Sequence, residues 1–163
     1  MTRRPTFVIW TKLAAKPFER GGGMPSKAVE VEWTVAADES MSKVVRQGKV
    51  TARPELGHSV HVELAGLEPS RDYFYRFTAG GVASETGRTR TAPAAGAAVD
   101  RLRFGVCGCA HFEQGYFTAY RRIAEEAFDF VFHTGDYIYE TTGEDGGGRV
   151  RRHASEELFS LDD

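Results

Sequence analysis

Two side chains able to bind a hard cation, Asp136 and Tyr139, stand three residues apart in Phe130-Val131-Phe132-His133-Thr134-Gly135-Asp136-Tyr137-Ile138-Tyr139-Glu140. The aromatic and β-branched run before Gly135 reads as a strand, and Gly135 lets the backbone turn sharply at its end. A strand that delivers a carboxylate at its C-terminal end is a common way to build a site in an α/β sheet. If the chain turns helically after Gly135, Asp136 and Tyr139 share one face. A third donor, Cys109, follows another strand-like run, Leu102–Cys107. Hydrolysis of a phosphate ester needs charge neutralisation and a nucleophile at neutral pH, and a pair of metal ions bridged by a carboxylate supplies both. Asp136 fits the bridging position. A free phenol has a pKa of about 10, so Tyr139 binds as phenolate only to a strongly acidic ion. The same ion would deprotonate the Cys109 thiol. A Cys, Asp and Tyr set therefore suits Fe(III) better than zinc. Each residue also has a plain structural reading: Cys109 a small buried hydrophobe, Asp136 a helix cap, Tyr139 a core aromatic.

Other candidates carry less. Cys109-Ala110-His111 has the spacing of the Asp-x-His that opens many metallophosphatases, which leaves His111 open between ligand and bystander. Cys107 reads as strand core, and His133 as a histidine satisfied within the fold. Arg149, Arg151 and Arg152 have the chemistry to pair with phosphate, but the run reads as solvated loop charge. His58 and His61 read as surface residues. Cys107 and Cys109 are too close in sequence to converge into an ordinary disulfide, and no second cysteine pair completes a zinc site.

The elements that must position these residues divide at a small-residue segment. After it, a strand at Leu102–Cys107, a helix over about Tyr116–Ala127 and a strand at Asp129–His133 form a βαβ unit with parallel strands. That topology puts Cys109 and Asp136 at the same carboxyl edge of one sheet. Gly-rich and then charged residues follow, with a short helix suggested in Ser155–Leu161. Before the segment, short alternating runs recur without a helix: Phe7–Trp10, Val29–Val35, Val44–Val45, Val60–Leu64, Tyr73–Phe77 and a last strand within Val82–Thr91, with Gly48 read as a turn before Val50. This is the pattern of an antiparallel sandwich. Leu67-Glu68-Pro69-Ser70-Arg71-Asp72-Tyr73 has the form of a tyrosine corner, in which the phenol bonds back to the backbone near the turn. The expected organisation is a β-sandwich at 6–93, a linker at 94–100 and an α/β segment at 101–163.

Composition narrows the classes. The chain has 163 residues, 41% hydrophobic, and a formal net charge of −2, enough for one medium domain or two small ones. The near-neutral, mixed charge offers neither the basic face of a nucleic-acid protein nor a polybasic membrane patch. Arg3-Arg4 is not followed by an apolar stretch, because Thr11, Lys12 and Lys16 interrupt it, so no signal peptide is read. No apolar run is long enough for a transmembrane helix.

Phe104-Gly105-Val106-Cys107-Gly108-Cys109-Ala110-His111-Phe112-Glu113-Gln114-Gly115-Tyr116-Phe117-Thr118-Ala119-Tyr120-Arg121 and His133–Glu140 together resemble the alkaline phosphatase D (PhoD-like) family. Ile9–Leu13, His58–Val62, Tyr73–Phe77 and Gly87–Ala92 are similar to that family's N-terminal, fibronectin type III-like domain. The resemblance implies a fibronectin type III-like sandwich followed by the start of an α/β metallophosphatase domain. It implies hydrolysis of phosphate mono- or diesters, with Cys109 and Tyr139 on iron and Asp136 bridging iron to calcium, and an extracytoplasmic location. Gly108 stands where the family commonly has Ser. The family's further ligands lie in an Asp-Asp-His-Glu segment and beyond, and Asp162-Asp163 closes this chain without that His. The expectation is an N-terminal fragment, inactive alone. The competing reading is a non-catalytic sandwich binding module with a vestigial α/β segment.

Overall fold

A computed structural model describes residues 6–139, 149–152 and 158–161. The chain forms two units. One comprises the chain up to Lys16 together with Gly23–Val99, and the other Pro17–Gly22 together with the chain from Asp100 onward.

The first unit is a sandwich. Strands β1 (Thr6–Lys12) and β4 (Ser59–Ala65) pair antiparallel as one layer. The other layer is built on β2 (Val29–Ala36), flanked by β3 (Val44–Ala52) and β5 (Asp72–Ala79), both antiparallel to it. Two short strands, β6 (Val82–Ala83) and β7 (Gly87–Arg90), share the far edge of β5. Ile9, Val60 and Leu64 from the first layer meet Val31, Val35, Tyr73 and Phe77 from the second in one buried core. Each aliphatic side chain removed from water in this way contributes about 1.5–3 kcal/mol. The period-2 pattern thus becomes one packed face per layer.

The tyrosine corner is present. Tyr73 is buried, and its hydroxyl accepts a bond from the Glu68 amide at 3.0 Å. Thr91, also buried, closes the same corner, accepting from the Arg71 amide at 3.0 Å and donating to the Glu68 carbonyl at 2.6 Å.

Three details of the sandwich differ from the sequence reading. Gly48 is not a turn but lies inside β3 opposite Trp33. A Cβ there would stand 2.6 Å from the indole Cζ2, so the glycine makes room for the ring. Gly87 does the same opposite Tyr75. The last strand is two strands, because Ser84 interrupts the ladder. Its amide reaches the Phe77 carbonyl at 2.8 Å while its hydroxyl takes the Phe77 amide at 3.1 Å. His58 is buried rather than on the surface: after Gly57 it turns back with φ 53°, and its Nε2 meets the Lys27 carbonyl at 3.1 Å. His61 is exposed, its ring beside that of Trp10.

The second unit contains β8 (Phe104–Cys107), α1 (Thr118–Glu125) and β9 (Phe130–His133). The strands are parallel, in register Phe104 to Phe130 and Cys107 to His133. Mutual bonds between Arg103 and Asp129 lock the start of the pair. At the other end the Thr134 amide donates to the Cys107 carbonyl at 2.8 Å. Helix α1 is shorter than its apolar spacing suggests. It begins after Phe117, which is left-handed (φ 54°), and Glu126 is already extended. Against one face of the sheet pack Phe128, over Gly105, and Tyr120, whose hydroxyl meets His133. On the other, Phe104 stacks on Phe130 at 5.3 Å, and Phe104, Val106, Phe130 and Phe132 remain about half exposed, the apolar surface a single crossover helix leaves uncovered. Residues 155–157 of the helix suggested for Ser155–Leu161 lie outside the described residues, and the rest of it, Leu158–Leu161, is not helical. Among the described residues no helix is long and apolar enough to cross a membrane.

Candidate metal site

Parallel pairing sets Cys107 level with His133, so the segments beyond both strands leave the sheet side by side. The Cys109 amide donates to the Gly135 carbonyl at 3.2 Å and the Ala110 amide to the Asp136 carbonyl at 3.1 Å. Cys109 and Asp136 are both left-handed, at φ 56° and 54°. Non-glycine residues persist there only where their surroundings over-determine the conformation, and such residues gather at functional sites. Here the paired backbones supply that restraint.

Three donors converge as a result. The Cys109 thiol lies 3.4 Å from Asp136 Oδ2, and the Tyr139 hydroxyl donates to the same oxygen at 3.3 Å. The expected helical turn does not form, since residues 136–139 carry no helix. Gly135 (φ 118°) and the left-handed Asp136 fold the chain so that the phenol returns to the carboxylate by another route. With no helix after it, Asp136 is not a helix cap. Cys109 and Asp136 are exposed and Tyr139 half-buried, so none is a core residue.

The electrostatics follow from this crowding. Partial desolvation pushes the Tyr139 pKa up to about 12, aided by the adjacent Cys109 and the negative charge of Asp136. A phenolate, a thiolate and a carboxylate repel one another, and only protons or a cation relieve that. Two ligands on adjacent positions of one metal ion, at bond lengths of about 2.0–2.3 Å, sit about 3 Å apart. The donors are therefore close to ligand spacing, and their chemistry fits a strongly acidic cation. Among the described residues no group of three His, Cys, Asp or Glu gathers for a metal; the third donor here is a tyrosine.

The surroundings hold these groups in place. The His111 ring packs on that of Tyr139, centroids 4.8 Å apart. His133 Nδ1 accepts from the Gly135 amide at 3.3 Å, so in the neutral ring Nε2 carries the proton and donates to Tyr120 at 3.0 Å. His133 is thus satisfied within the fold. The Tyr120 hydroxyl keeps its proton above the usual range, mainly through desolvation and then through Cys107. Cys107 is half-buried, and neither cysteine is in a disulfide.

The arginine run departs from its reading as solvated charge. Arg149 Nε lies 3.6 Å from Glu113, a carboxylate only 1% exposed. The Arg151 guanidinium donates to the Phe112 carbonyl and, at 2.7 Å, to the Gly115 carbonyl. It lies over the rings of Phe112 and Phe117, at 4.9 and 4.5 Å. Arg152 alone is exposed. Sequence reasoning missed Glu113, since a single Glu in a loop carries no signal of burial. It also did not single out Phe112, and it read Phe117 at helical spacing within the Tyr116–Ala127 helix rather than as a partner of Arg151.

The family model described as "PhoD-like phosphatase, N-terminal domain" matches residues 2–93, and "PhoD-like phosphatase" matches 104–163. The chain is 49% identical over 159 residues to alkaline phosphatase D of Bacillus subtilis (strain 168), covering 96% of this chain and 27% of that protein. A solved structure titled "Structure of PhoD" superposes with a TM-score of 0.90 at 47% identity, covering 99% of this chain and 31% of the other. The chain thus spans about a quarter to a third of the length of these relatives. Its sandwich and the strand pair that follows both lie within matched segments, and the chain belongs to the PhoD-like phosphatase family.

Proposed function

We propose that this chain supplies part of the active site of a metal-dependent phosphoric ester hydrolase acting on phosphate mono- or diesters. Cys109 and Tyr139 would bind Fe(III), and Asp136 would bridge that ion to Ca2+. The observation that carries the reading is the convergence of the Cys109 thiol and the Tyr139 hydroxyl on one oxygen of Asp136, at 3.4 and 3.3 Å. Family membership and the relative's name, alkaline phosphatase D, support the reaction class. Bound together, the two ions would neutralise phosphate charge and lower the pKa of a water.

The residues themselves have definable tasks. Asp136 presents Oδ2 to the thiol and phenol, and its carboxylate would be the group shared by the two ions. Cys109 and Tyr139 must each release a proton on binding, and the phenol holds its proton up to about pH 12. Cys109 and Asp136, both left-handed and exposed, stand beyond the carboxyl ends of the paired strands, where a substrate can approach. Calcium takes six to eight oxygen ligands, so Asp136 alone cannot complete its shell. The family resemblance also carries an extracytoplasmic location, which fractionating cells that express the full-length protein tests.

In the complete enzyme, Asp136→Asn should lower turnover at least about a hundredfold, since an amide bridges two cations poorly. The iron-loaded protein should show a visible ligand-to-metal absorption that shifts or vanishes in Tyr139→Phe. Near wild-type turnover with unchanged metal content in Asp136→Asn would remove the bridge from the proposal. An unchanged spectrum in Tyr139→Phe would remove the phenolate.

A further inference from the structure

The loop from Cys109 to the start of α1 is bracketed by two left-handed non-glycine residues, Cys109 and Phe117. Phe117 opens α1 without a side-chain cap. Some contact must hold that conformation, and the second unit supplies it from a distant stretch of chain. An isolated antiparallel bridge pairs Gln114 with Arg149, and the Val150 amide donates to the Glu113 carbonyl at 2.9 Å. Arg149 reaches the buried Glu113 carboxylate. Arg151 then bonds the carbonyls of Phe112 and Gly115 and lies against the rings of Phe112 and Phe117. One planar guanidinium thereby ties residues 112, 115 and 117 together. With its donors on backbone carbonyls and its face against aromatic rings, it is built into the loop rather than held out for phosphate. A lysine ammonium has one compact charge and no plane, so it cannot make this set of contacts.

We propose that Arg151 is a positioning residue for the metal site, fixing the 110–117 loop and through it the placement of Cys109 and His111 against Asp136 and Tyr139. His111 immediately precedes Phe112, and its ring packs on Tyr139. Arg151 thus adds to the backbone bonds that tie Cys109 and Ala110 to Gly135 and Asp136, and releasing Phe112 loosens the far side of the Cys109 turn and the ring that backs the phenol. The consequence for iron rests on the metal-site reading above; the consequence for the loop and thiol does not.

The test uses the 163-residue chain as parent, Arg151→Ala, Arg151→Lys, and Arg152→Ala as an exposed control. In metal-free protein, amide exchange over 110–117 should accelerate in Arg151→Ala while β8 and β9 keep the parent's protection. Alkylation of the Cys109 thiol, resolved from Cys107 by peptide mass, should change at least about threefold. Fe(III) affinity, read from the absorption band, should fall about tenfold, the usual scale for groups that orient ligands. Arg151→Lys should behave like the alanine variant, and Arg152→Ala like the parent. If Arg151→Ala also loses protection in β8 and β9, Phe117→Leu replaces it, keeping apolar bulk while removing one ring from the stack, with the same directions expected. An unchanged Cys109 alkylation rate, or a loosened loop with unchanged iron affinity, overturns the proposal. If the parent itself binds no iron, the metal-site reading falls, and the alkylation and exchange results still decide whether Arg151 positions Cys109.

Discussion

Tyr139 holds its proton up to about pH 12 because partial desolvation, Cys109 and the Asp136 charge all disfavour a phenolate. The sign of two pH effects follows. A group whose pKa is raised on folding stabilises the fold fully below its unfolded value, here about 10, and that contribution is lost as pH rises towards 12. Iron has the opposite dependence: it must displace the phenol proton, so affinity should increase with pH over the range in which the fold is intact. Ultraviolet titration of metal-free protein should show one fewer late tyrosine ionisation in Tyr139→Phe, with that of Tyr120 retained, and iron binding to that variant should depend less steeply on pH. Gly108 makes a separate residue-scale case. A Cβ there would overlap Thr134 Oγ1, which donates to the Cys107 carbonyl at 3.2 Å. Gly108→Ala should cost about 1–3 kcal/mol, the usual scale of overpacking. Adding Thr134→Ala should recover part of that loss, as thermal denaturation would show. A purely additive double variant would mean that the hydroxyl is not what the methyl strikes.

At the scale of elements, both units rely on side chains that terminate or interrupt regular structure. In the sandwich, the Tyr73 hydroxyl takes the Glu68 amide just before β5, and Thr91 bonds the same turn from beyond β7. Tyr73→Phe keeps the buried ring and removes only this acceptor. It should cost about 1–2 kcal/mol, the price of one bond with its partner left in a half-buried setting. For a domain of this size that is a fall of about 4–8 °C in melting temperature per kcal/mol. A variant as stable as the parent would make the corner a packing feature only. In the α/β segment, β8 and β9 are four residues each and α1 eight. Elements this short leave the site's placement to the loops beyond them, where the left-handed residues stand.

For the whole molecule, the two units differ in how completely each buries its own apolar surface. The sandwich draws its core from both of its layers, whereas the β8–β9 face keeps Phe104, Val106, Phe130 and Phe132 about half exposed. Brief proteolysis should therefore cut in the exposed stretch Ala94–Ala98 and leave a protected N-terminal fragment. Survival of the 100–163 fragment in preference to the sandwich would reverse that ranking. The 163-residue chain loaded with iron and calcium should not turn over a chromogenic phosphate monoester or diester, since Asp136 is the one oxygen ligand proposed for calcium. Metal-dependent turnover that coelutes with the chain and disappears in Asp136→Asn would show that the site is complete without further ligands.

The sandwich and the parallel strand pair were legible because alternation of period 2, and a helix-spaced run between two β-rich segments, are local patterns that burial enforces residue by residue. The convergence of Cys109 and Asp136 at one sheet edge was legible for the same reason: parallel pairing brings corresponding strand ends together whatever the loops do. Gly48 misled because its partner, Trp33, is distant in the chain, and a glycine that makes room for a ring looks in sequence like one that makes a turn. His58 and the arginines misled because polarity argues for exposure unless a partner is supplied, and Lys27, Glu113 and the rings of Phe112 and Phe117 are partners that only the folded chain brings near. Tyr139 reached Asp136 without the helical turn that its spacing suggested. Spacing measures separation along the chain, while the left-handed backbone at Asp136, held by pairing with the Cys109 strand end, determines where the phenol lies.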